Sequence, residues 1–458
     1  MPIDDPGLPT ARRRTTLFAV YCAVALSTLS LTGITVALPL IASDVRVPPA
    51  DVVSLVSWFQ IAMLATVLPF AALGEHIGYR RVFLAGLAAI ALASVICAWA
   101  PSFEHLLFGR VLQGLGAAAV SAVNPAILRL SVPAARLGAL IGTTAMVVAV
   151  ASAAGPSLAA IVLSIGDWRW LFILNLPWAC LAIAAGWAAP AWSGRASRRF
   201  DFAGAGLNAI AFILIGTGLG TLATHGSAAL PFLLGGVLFA AALVFQQRRR
   251  EVPLLPLDLL RLPTVRWTAA ASVCAFAAQV ASMVALPFVL HVGMGLDLLA
   301  TGMALMLWPV AVAVMAPVAA RLENRIPSAA LCAAGGLLMA GGLVLLWALS
   351  GAARLIPSAA AIVLCGIGFG LFQTPNNRSM LTATPRERSG GAGGLQGTAR
   401  LLGQMLGATS VAMVFQLHPA GVATASADAL LVAGMFAVAC SVFSLWRRGA
   451  SSVPPVAS

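Results

Sequence analysis

The chain consists largely of apolar runs that are long enough to cross a lipid bilayer. A hydrocarbon core of about 30 Å needs roughly 20 helical residues, and only 9% of the 458 residues are charged, against about 25% in soluble domains. The sequence therefore predicts an all-α polytopic membrane protein and excludes an ordinary soluble enzyme. Fourteen runs predict the membrane-spanning helices: residues 16–41, 52–73, 82–100, 104–126, 137–163, 170–190, 204–223, 229–246, 266–291, 298–319, 329–349, 356–377, 393–416 and 428–446.

The arginines are distributed between the loops in a way that predicts the orientation of the spans. The sequence has no lysine, and 22 of its 27 basic residues fall in alternate segments, beginning with the N-terminus. The opposite segments hold only Arg46, Arg169 and Arg354, while Arg110 and Arg400 lie within runs. Because cytoplasmic loops carry the excess of basic residues, both termini are predicted to be cytoplasmic. The net charge of +13 then reflects topology and not a nucleic-acid partner.

Two short segments recur at similar offsets and predict two homologous halves. Pro69–Glu75 resembles Pro317–Glu323, and Leu112–Gly116 resembles Leu364–Gly368. Transporters built of parallel repeats place their substrate path between the halves. The predicted domains are an N-terminal six-helix bundle at 1–200, an inserted transmembrane helix pair at 201–250, a C-terminal six-helix bundle at 251–446 and a cytoplasmic tail at 447–458.

Four motifs in and between the first six runs point to a known family. Ala71–Arg81 reads A-A-L-G-E-H-I-G-Y-R-R, and Arg110–Gly116 reads R-V-L-Q-G-L-G. Ala151–Pro156 reads A-S-A-A-G-P, and Asp167–Pro177 reads D-W-R-W-L-F-I-L-N-L-P. In this order the motifs resemble those of the major facilitator superfamily, and within it the fourteen-span drug/proton antiporter group.

The resemblance implies the major facilitator fold with 14 transmembrane helices, in which two bundles rock to give alternating access. It assigns a cytoplasmic gate to the loop formed by Leu73, Gly74, Glu75, Gly78, Arg80 and Arg81. It assigns a coupling or structural role in span four to Arg110, Gln113, Gly114 and Gly116. It assigns an antiporter-type hinge to Ala151, Gly155 and Pro156. The alternatives are a solvated loop that only sets topology, an arginine held by backbone carbonyls or Glu75, and ordinary packing of small residues.

The first span departs from the family at the position that matters most for charge. Family antiporters carry Asp and Asn where this chain has Ser30 and Thr35. All fourteen acidic residues fall in predicted loops or near predicted helix ends. A carboxylate inside the membrane is the usual proton carrier and the usual counter-charge for a cationic substrate. Proton coupling is therefore expected from the resemblance but is not supported by these residues.

The remaining polar residues inside the runs are neutral and predict a pocket for flat or amphipathic ligands. Methionine and aromatic rings adapt to a ligand while a few amides orient it. The same amides could instead join helices by hydrogen bonds. The candidate pocket residues are Ser30, Thr35, Gln60, Asn124, Gln279, Met283, Trp308, Gln373 and Asn376.

The sequence as a whole favours a secondary active transporter that exports amphipathic small molecules, like the multidrug exporters of the family. One alternative is a carrier of a specific neutral or anionic metabolite, and another is a membrane scaffold or sensor that transports nothing. No nucleotide-binding, metal-binding or nucleophile motif is present, so neither enzymatic activity nor a cofactor is expected. The expected partners are the lipid bilayer, a small amphipathic substrate and protons. We expect a monomer in the bacterial cytoplasmic (inner) membrane, crossing it many times.

Overall fold

A computed structural model describes most of the chain, and every regular element in the described part is helical. The described residues are 8–132, 134–187, 201–225, 228–247, 259–350, 355–384, 389–418 and 421–450. The helices are α1 Thr10–Val45, α2 Pro49–Ile77, α3 Tyr79–Ala98, α4 Phe103–Ser131, α5 Ala134–Ile165, α6 Trp170–Ile173, α7 Asn175–Gly186, α8 Phe202–His225, α9 Ala229–Gln247, α10 Pro263–Pro287, α11 Leu298–Leu322, α12 Ser328–Leu349, α13 Leu355–Thr382, α14 Ser389–Leu417 and α15 Val422–Ala450. The all-α membrane fold predicted from hydropathy is confirmed.

Each of the fourteen apolar runs coincides with helix. Twelve helices in the described part are long and apolar enough to cross a bilayer. The sixth run forms the short pair α6 and α7, which together cover Trp170–Gly186. The thirteenth run forms α14, which has 29 residues but lies outside that apolar set because glycine, glutamine and one arginine interrupt it. α10 continues into a π-helical turn at Phe288–Gly293, directly after Pro287, a residue that has no N–H to donate.

The chain divides into two compact units. The first comprises Met1–Val47, Ser54–Thr217 and Pro231–Leu243, and the second comprises Pro48–Val53, Gly218–Leu230 and Val244–Ser458. In the first unit, α1, α3, α4 and α7 share a buried core with residues such as Leu26, Phe83, Val120 and Ala182. In the second, residues of α10, α13 and α14 share a core that includes Val265, Met380 and Leu395. The domain boundaries expected from sequence remain a prediction.

The internal repeat is visible as equivalent helix contacts within each unit. A Cβ added to Gly114 would lie 2.5 Å from the carbonyl oxygen of Phe59. A Cβ added to Gly366 would lie 2.5 Å from the carbonyl oxygen of Trp308. These distances are too short for any residue but glycine, so α4 approaches α2 as α13 approaches α11. The next glycine in each motif makes the same close approach to the following helix. The repeat inferred from the sequence thus corresponds to a repeated packing arrangement.

Candidate transport site

Arg110 on α4 is fully buried and is held by neutral groups. Its Nε donates to the Leu55 carbonyl oxygen at 3.2 Å, and its Nη1 donates to Gln113 Oε1 at 2.6 Å. Its guanidinium carbon lies 4.5 Å from the centroid of the Phe59 ring, a cation–π distance. Gln113 Nε2 in turn donates to Ser94 Oγ at 2.9 Å. The spacing of this motif thus builds one network that joins α2, α3 and α4.

This network leaves one arginine nitrogen without a partner and contains no carboxylate. Arg110 Nη2 is buried and has no hydrogen-bond partner in the described part of the chain. Glu75, which the sequence offered as a partner for Arg110, is exposed instead, so that expected contact is not formed. Offset by 252 residues, as in the repeat, the second unit has the buried Ile362 where the first has Arg110. The charge is therefore specific to the first unit.

The loop between α2 and α3 forms a tight turn that depends on its glycines. Gly78 has φ of 103° and precedes α3, and a residue other than glycine would be strained there. A Cβ on Gly74 would lie 2.8 Å from a Val123 side-chain carbon. Arg80 donates to the Trp187 carbonyl oxygen at 3.3 Å, while Arg81 is exposed. Leu73 packs against the core of the first unit, and the gate role of this loop remains a prediction.

The charge contacts expected of Glu75 are formed by the repeat-related Glu323. The side chain of Glu323 is only 3% exposed, at the end of α11. Ser328 Oγ, at the start of α12, donates to Glu323 Oε1 at 2.8 Å. Arg378 Nη1, near the end of α13, lies 3.5 Å from Glu323 Oε2. This carboxylate joins three helix ends within the second unit. The offset of 248 residues between the two motifs was the sequence signal that pointed to it.

Glu75 and Glu323 form a matched pair for mutagenesis. Glu323→Gln should lower stability by about 1–2 kcal/mol, since a buried carboxylate loses its charged contacts. Glu75→Gln should change stability by less than about 0.5 kcal/mol, as exposed substitutions usually do. Thermal unfolding of both variants in detergent measures the difference in stability. Export of a neutral fluorescent amphiphile by the same variants measures the effect on transport. A larger effect at Glu75 than at Glu323 would contradict this assignment.

The predicted hinge lies where α5 crosses α1. A Cβ on Gly155 would collide with the side chain of Thr32, so glycine allows the close approach of the two helices. Thr35 Oγ1 donates back to the Thr32 carbonyl oxygen at 2.7 Å. The buried Ser30 Oγ has no partner in the described part of the chain. Pro156 continues α5.

Beside this crossing, α1 and α5 line an apolar groove of about 260 Å³. Ala151 of the predicted hinge is one of its walls. The surface of the groove is almost entirely carbon, so it offers shape and hydrophobic contact but no charge. Its lining residues are Ala25, Leu29, Met146, Val147, Val150, Ala151, Ala154 and Leu158.

Three of the four pocket residues predicted in the first unit have buried side-chain atoms without a partner among the described residues, and only Thr35 is bonded: the three are Ser30, Gln60 and Asn124. Gln60 on α2 is fully buried, and neither side-chain oxygen nor nitrogen has a partner among the described residues. Asn124 on α4 is also buried, with its Oδ1 unpartnered in the same sense. Buried amides without partners are costly. Both groups can therefore accept a hydrogen bond from a ligand or from water.

The pocket candidates of the second unit include side-chain atoms with and without a hydrogen-bond partner among the described residues. Asn376 Nδ2 donates to Ser272 Oγ at 2.6 Å, which links α13 to α10, while its Oδ1 has no partner among described residues. The buried Trp308 Nε1 is likewise unpartnered there. The remaining three candidates, Gln279, Met283 and Gln373, are half-buried.

The nine acidic residues that the structure describes all lie near helix ends or in loops. Glu104 and Asp297 both lie at the start of a helix. Asp297 Oδ1 accepts from the Ala300 N–H at 2.6 Å as the N-cap of α11. Glu104 accepts from Ser102 Oγ at 2.6 Å in the exposed first turn of α4. The deepest is Asp428, which lies six residues inside α15 with its Oδ2 3.7 Å from His418 Nε2. No described carboxylate therefore lies in the central turns of a span.

An ion-pair cluster, missed by the sequence analysis, ties the end of α1 to the loop before α6. Arg169 Nη1 lies 3.1 Å from Asp44 Oδ2 and 2.8 Å from Asp167 Oδ2. Trp168 Nε1 also donates to Asp44 Oδ2 at 3.0 Å. Partial burial lowers the pKa of Arg169, but the hydrogen bonds and charges of the two carboxylates outweigh it, so this pKa stands above its ordinary value. The tryptophan-rich motif thus has a structural contact of its own.

Arg447, which the sequence analysis assigned to the cytoplasmic tail, belongs to the last helix. α15 continues to Ala450, past the boundary expected from hydropathy, and Arg447 is buried. Its Nη1 donates to Thr268 Oγ1 at 3.2 Å, and its Nη2 lies 3.6 Å from Cys332 Sγ. All seven cysteines are free, and five of them are buried. No sequence signal separated Arg447 from the other arginines near the ends of spans.

Comparison with known proteins identifies similar chains over most of the length. The family model described as Major Facilitator Superfamily matches residues 20–408. The chain is 41% identical over 416 residues to the uncharacterized transporter YebQ of Escherichia coli strain K12, covering 90% of this chain and 91% of the relative. It is 25% identical to the riboflavin transporter RibZ of Clostridioides difficile strain 630, with 85% and 86% covered. It is 28% identical to the tetracenomycin C resistance and export protein of Streptomyces glaucescens, with 86% and 74% covered.

The fold is also shared with a solved membrane transporter. A POT family transporter in complex with a thioalcohol-conjugated peptide superposes with a TM-score of 0.70 at 14% identity, and 94% of each chain is covered. At this identity the likeness concerns the fold alone.

Proposed function

Because the chain belongs to the Major Facilitator Superfamily, we propose that it is a secondary transporter that exports neutral or weakly acidic amphipathic small molecules by alternating access. Relatives named for multidrug resistance, tetracenomycin C export and riboflavin transport support the transport of a small organic molecule. The same proposal places the chain in the fourteen-span drug/proton antiporter group, with protons as the coupling ion.

The observation that carries the substrate class is the position of the acidic residues. All nine described acids lie near helix ends or in loops, and the span-one position where family antiporters carry Asp is Ser30. An unpaired cation in a low-dielectric site costs several kcal/mol. A lipophilic dication would therefore find no compensating carboxylate in the central turns of the described spans, whereas a neutral ligand needs none.

Neutral contacts are available within each unit. In the first unit the apolar groove between α1 and α5 provides hydrophobic surface, and Gln60 and Asn124 have free hydrogen-bonding atoms. In the second unit Asn376 and Trp308 have one each. Apolar surface with a few polar atoms suits amphipathic ligands.

A carrier of one specific neutral or anionic metabolite is the second candidate. The buried Nη2 of Arg110, which has no partner among the described residues, favours a ligand with a negative group. A protein that transports nothing is the third candidate, and a transport assay separates it from the other two.

Everted membrane vesicles that contain the full chain test the proposal. We expect energised vesicles to accumulate the neutral amphiphile N-phenylnaphthylamine above vesicles without the protein, and to lose this gradient when a protonophore is added. The divalent cation dequalinium should not accumulate. Accumulation of dequalinium in place of the neutral compound would overturn the proposed substrate class, and accumulation of neither would favour the non-transporting alternative.

Topology gives an independent check on the arrangement in the inner membrane. Reporter fusions after residues 200 and 447 should both report the cytoplasm, because the arginine-rich segments precede those positions. A fusion after Arg354 should report the opposite side. A cytoplasmic signal after Arg354 would contradict the fourteen-span arrangement with two cytoplasmic termini.

A further inference from the structure

Arg400 on α14 is an exposed cation inside a membrane-length helix. It is the only exposed residue between positions 394 and 416, all of which the structure describes. It makes no hydrogen bond or ion pair with any described residue. By helical rise it lies roughly 10 Å beyond the start of the apolar run at residue 393. An arginine at such depth is costly unless it reaches water or an anion.

The exposed side chains of α14 differ from those of helices that have a lipid-facing side. α9 exposes apolar side chains such as Val237 and Leu238, and α12 exposes Leu337 and Val344. α14 exposes no apolar side chain over residues 394–416. The one exposed side chain over this stretch of α14 is therefore charged, while Leu402, Leu406 and Met413 are half-buried. A polar opening in a membrane-length helix faces a water-filled cavity and not lipid.

The surroundings of Arg400 within the second unit are open on one side. Gly393, Gly394 and Gly397 have no neighbouring atom within 4 Å of an added Cβ. Further along the helix, Gly403 and Gly407 pack so closely on the α10 backbone that an added Cβ would collide with it. α14 is thus tightly packed in its second half and free around the residues that precede Arg400.

We propose that Arg400 binds the acidic group, a carboxylate or a sulfonate, of an amphipathic substrate as it passes through the transport path. This assignment rests on the proposed function and narrows its substrate class. No described acid forms an ion pair with this cation, so a ligand anion provides the missing counter-charge. A guanidinium binds such groups with two parallel hydrogen bonds.

Two probes with the same ring skeleton isolate the acidic group. Anilinonaphthalene sulfonate carries a sulfonate, and N-phenylnaphthylamine lacks it. We expect Arg400→Gln to reduce export of the sulfonate about tenfold, equivalent to about 1.4 kcal/mol, and export of the amine less than twofold. Arg400→Lys should retain part of the sulfonate export, because it keeps the charge but not the planar pair of donors. Arg325→Gln removes an exposed cation outside the helices and should change neither.

Equal losses for both probes in Arg400→Gln would overturn the assignment, and so would unchanged sulfonate export. Binding to the purified full chain, measured as thermal stabilisation by each probe, separates this proposal from the proposed function. Stabilisation by the sulfonate that depends on Arg400, in a protein that exports neither probe, would support the binding site and refute export. Export of the amine, together with sulfonate binding that does not depend on Arg400, would support export and refute the binding site.

Discussion

Replacing Arg110 with isoleucine is expected to reduce export of neutral amphiphiles more than tenfold and to lower stability by about 1–3 kcal/mol. The substitution removes the bonds to the Leu55 carbonyl oxygen and to Gln113 Oε1. Hydrogen bonds to a charged group contribute about 1.5–3 kcal/mol each, and removal of a buried charge offsets part of their loss, which gives this range. Gln113 also keeps only its bond to Ser94. Thermal unfolding in detergent and vesicle export measure the two effects.

The repeat offers a reason to separate function from packing at this position. Ile362 occupies the equivalent buried place in the second unit, so the packing of this helix does not require a charge there. Arg110→Lys keeps the charge with fewer donors and should fall between the original chain and Arg110→Ile. If Arg110→Ile unfolds at the normal temperature and exports normally, both the structural and the coupling role of Arg110 are refuted. Loss of stability without loss of export would leave only the structural role.

Replacing Ser30 with aspartate is expected to shift preference towards cations by at least tenfold. The Ser30 Oγ is buried and has no partner among the described residues, so a carboxylate placed there has no internal cation to bind. Two unit charges about 4 Å apart attract by roughly 4 kcal/mol at an effective dielectric constant of 20, and part of this is lost to desolvation. A net gain of about 1.4 kcal/mol already changes the ratio tenfold. Competition between dequalinium and N-phenylnaphthylamine in vesicles measures the ratio.

Ser30→Asn is the matched control for this substitution because it has nearly the shape of aspartate without its charge. The asparagine variant should keep the original preference for the neutral probe. If both variants gained cation transport equally, the effect would come from size and not from charge. If neither changed preference, Ser30 would lie outside the path of the substrate.

Hydropathy predicted the helices well because each run is a local property of the sequence. All fourteen runs coincide with helix over their described residues, and the glycines of the repeat motifs make equivalent contacts in the two units. The sequence also drew attention to the Arg110 motif, to which the family resemblance assigned a coupling or structural role. The structure adds that its acceptors are neutral and include the Leu55 carbonyl oxygen.

Contacts between residues far apart in sequence could not be predicted in this way. Arg169 and Asp44 are 125 positions apart, and Arg447 and Thr268 are 179 apart. Nothing local in the sequence distinguishes these side chains from exposed loop charges. The family motif likewise drew attention to Glu75, although the carboxylate that joins three helix ends is Glu323. The chemical equivalence of the two motifs was visible, but the degree of burial of each carboxylate depends on tertiary packing.

The central claim is that the described spans lack a carboxylate in their central turns and therefore favour neutral or acidic ligands over cations. Ligand-dependent thermal stability of the purified full chain tests this claim most directly, with cationic, neutral and anionic amphiphiles of similar size at equal concentration. Any ligand that binds only the folded state raises stability according to its concentration and affinity. We expect anilinonaphthalene sulfonate and N-phenylnaphthylamine to raise the unfolding temperature, and dequalinium to leave it unchanged. Stabilisation by dequalinium that exceeds that of both other probes would contradict the account.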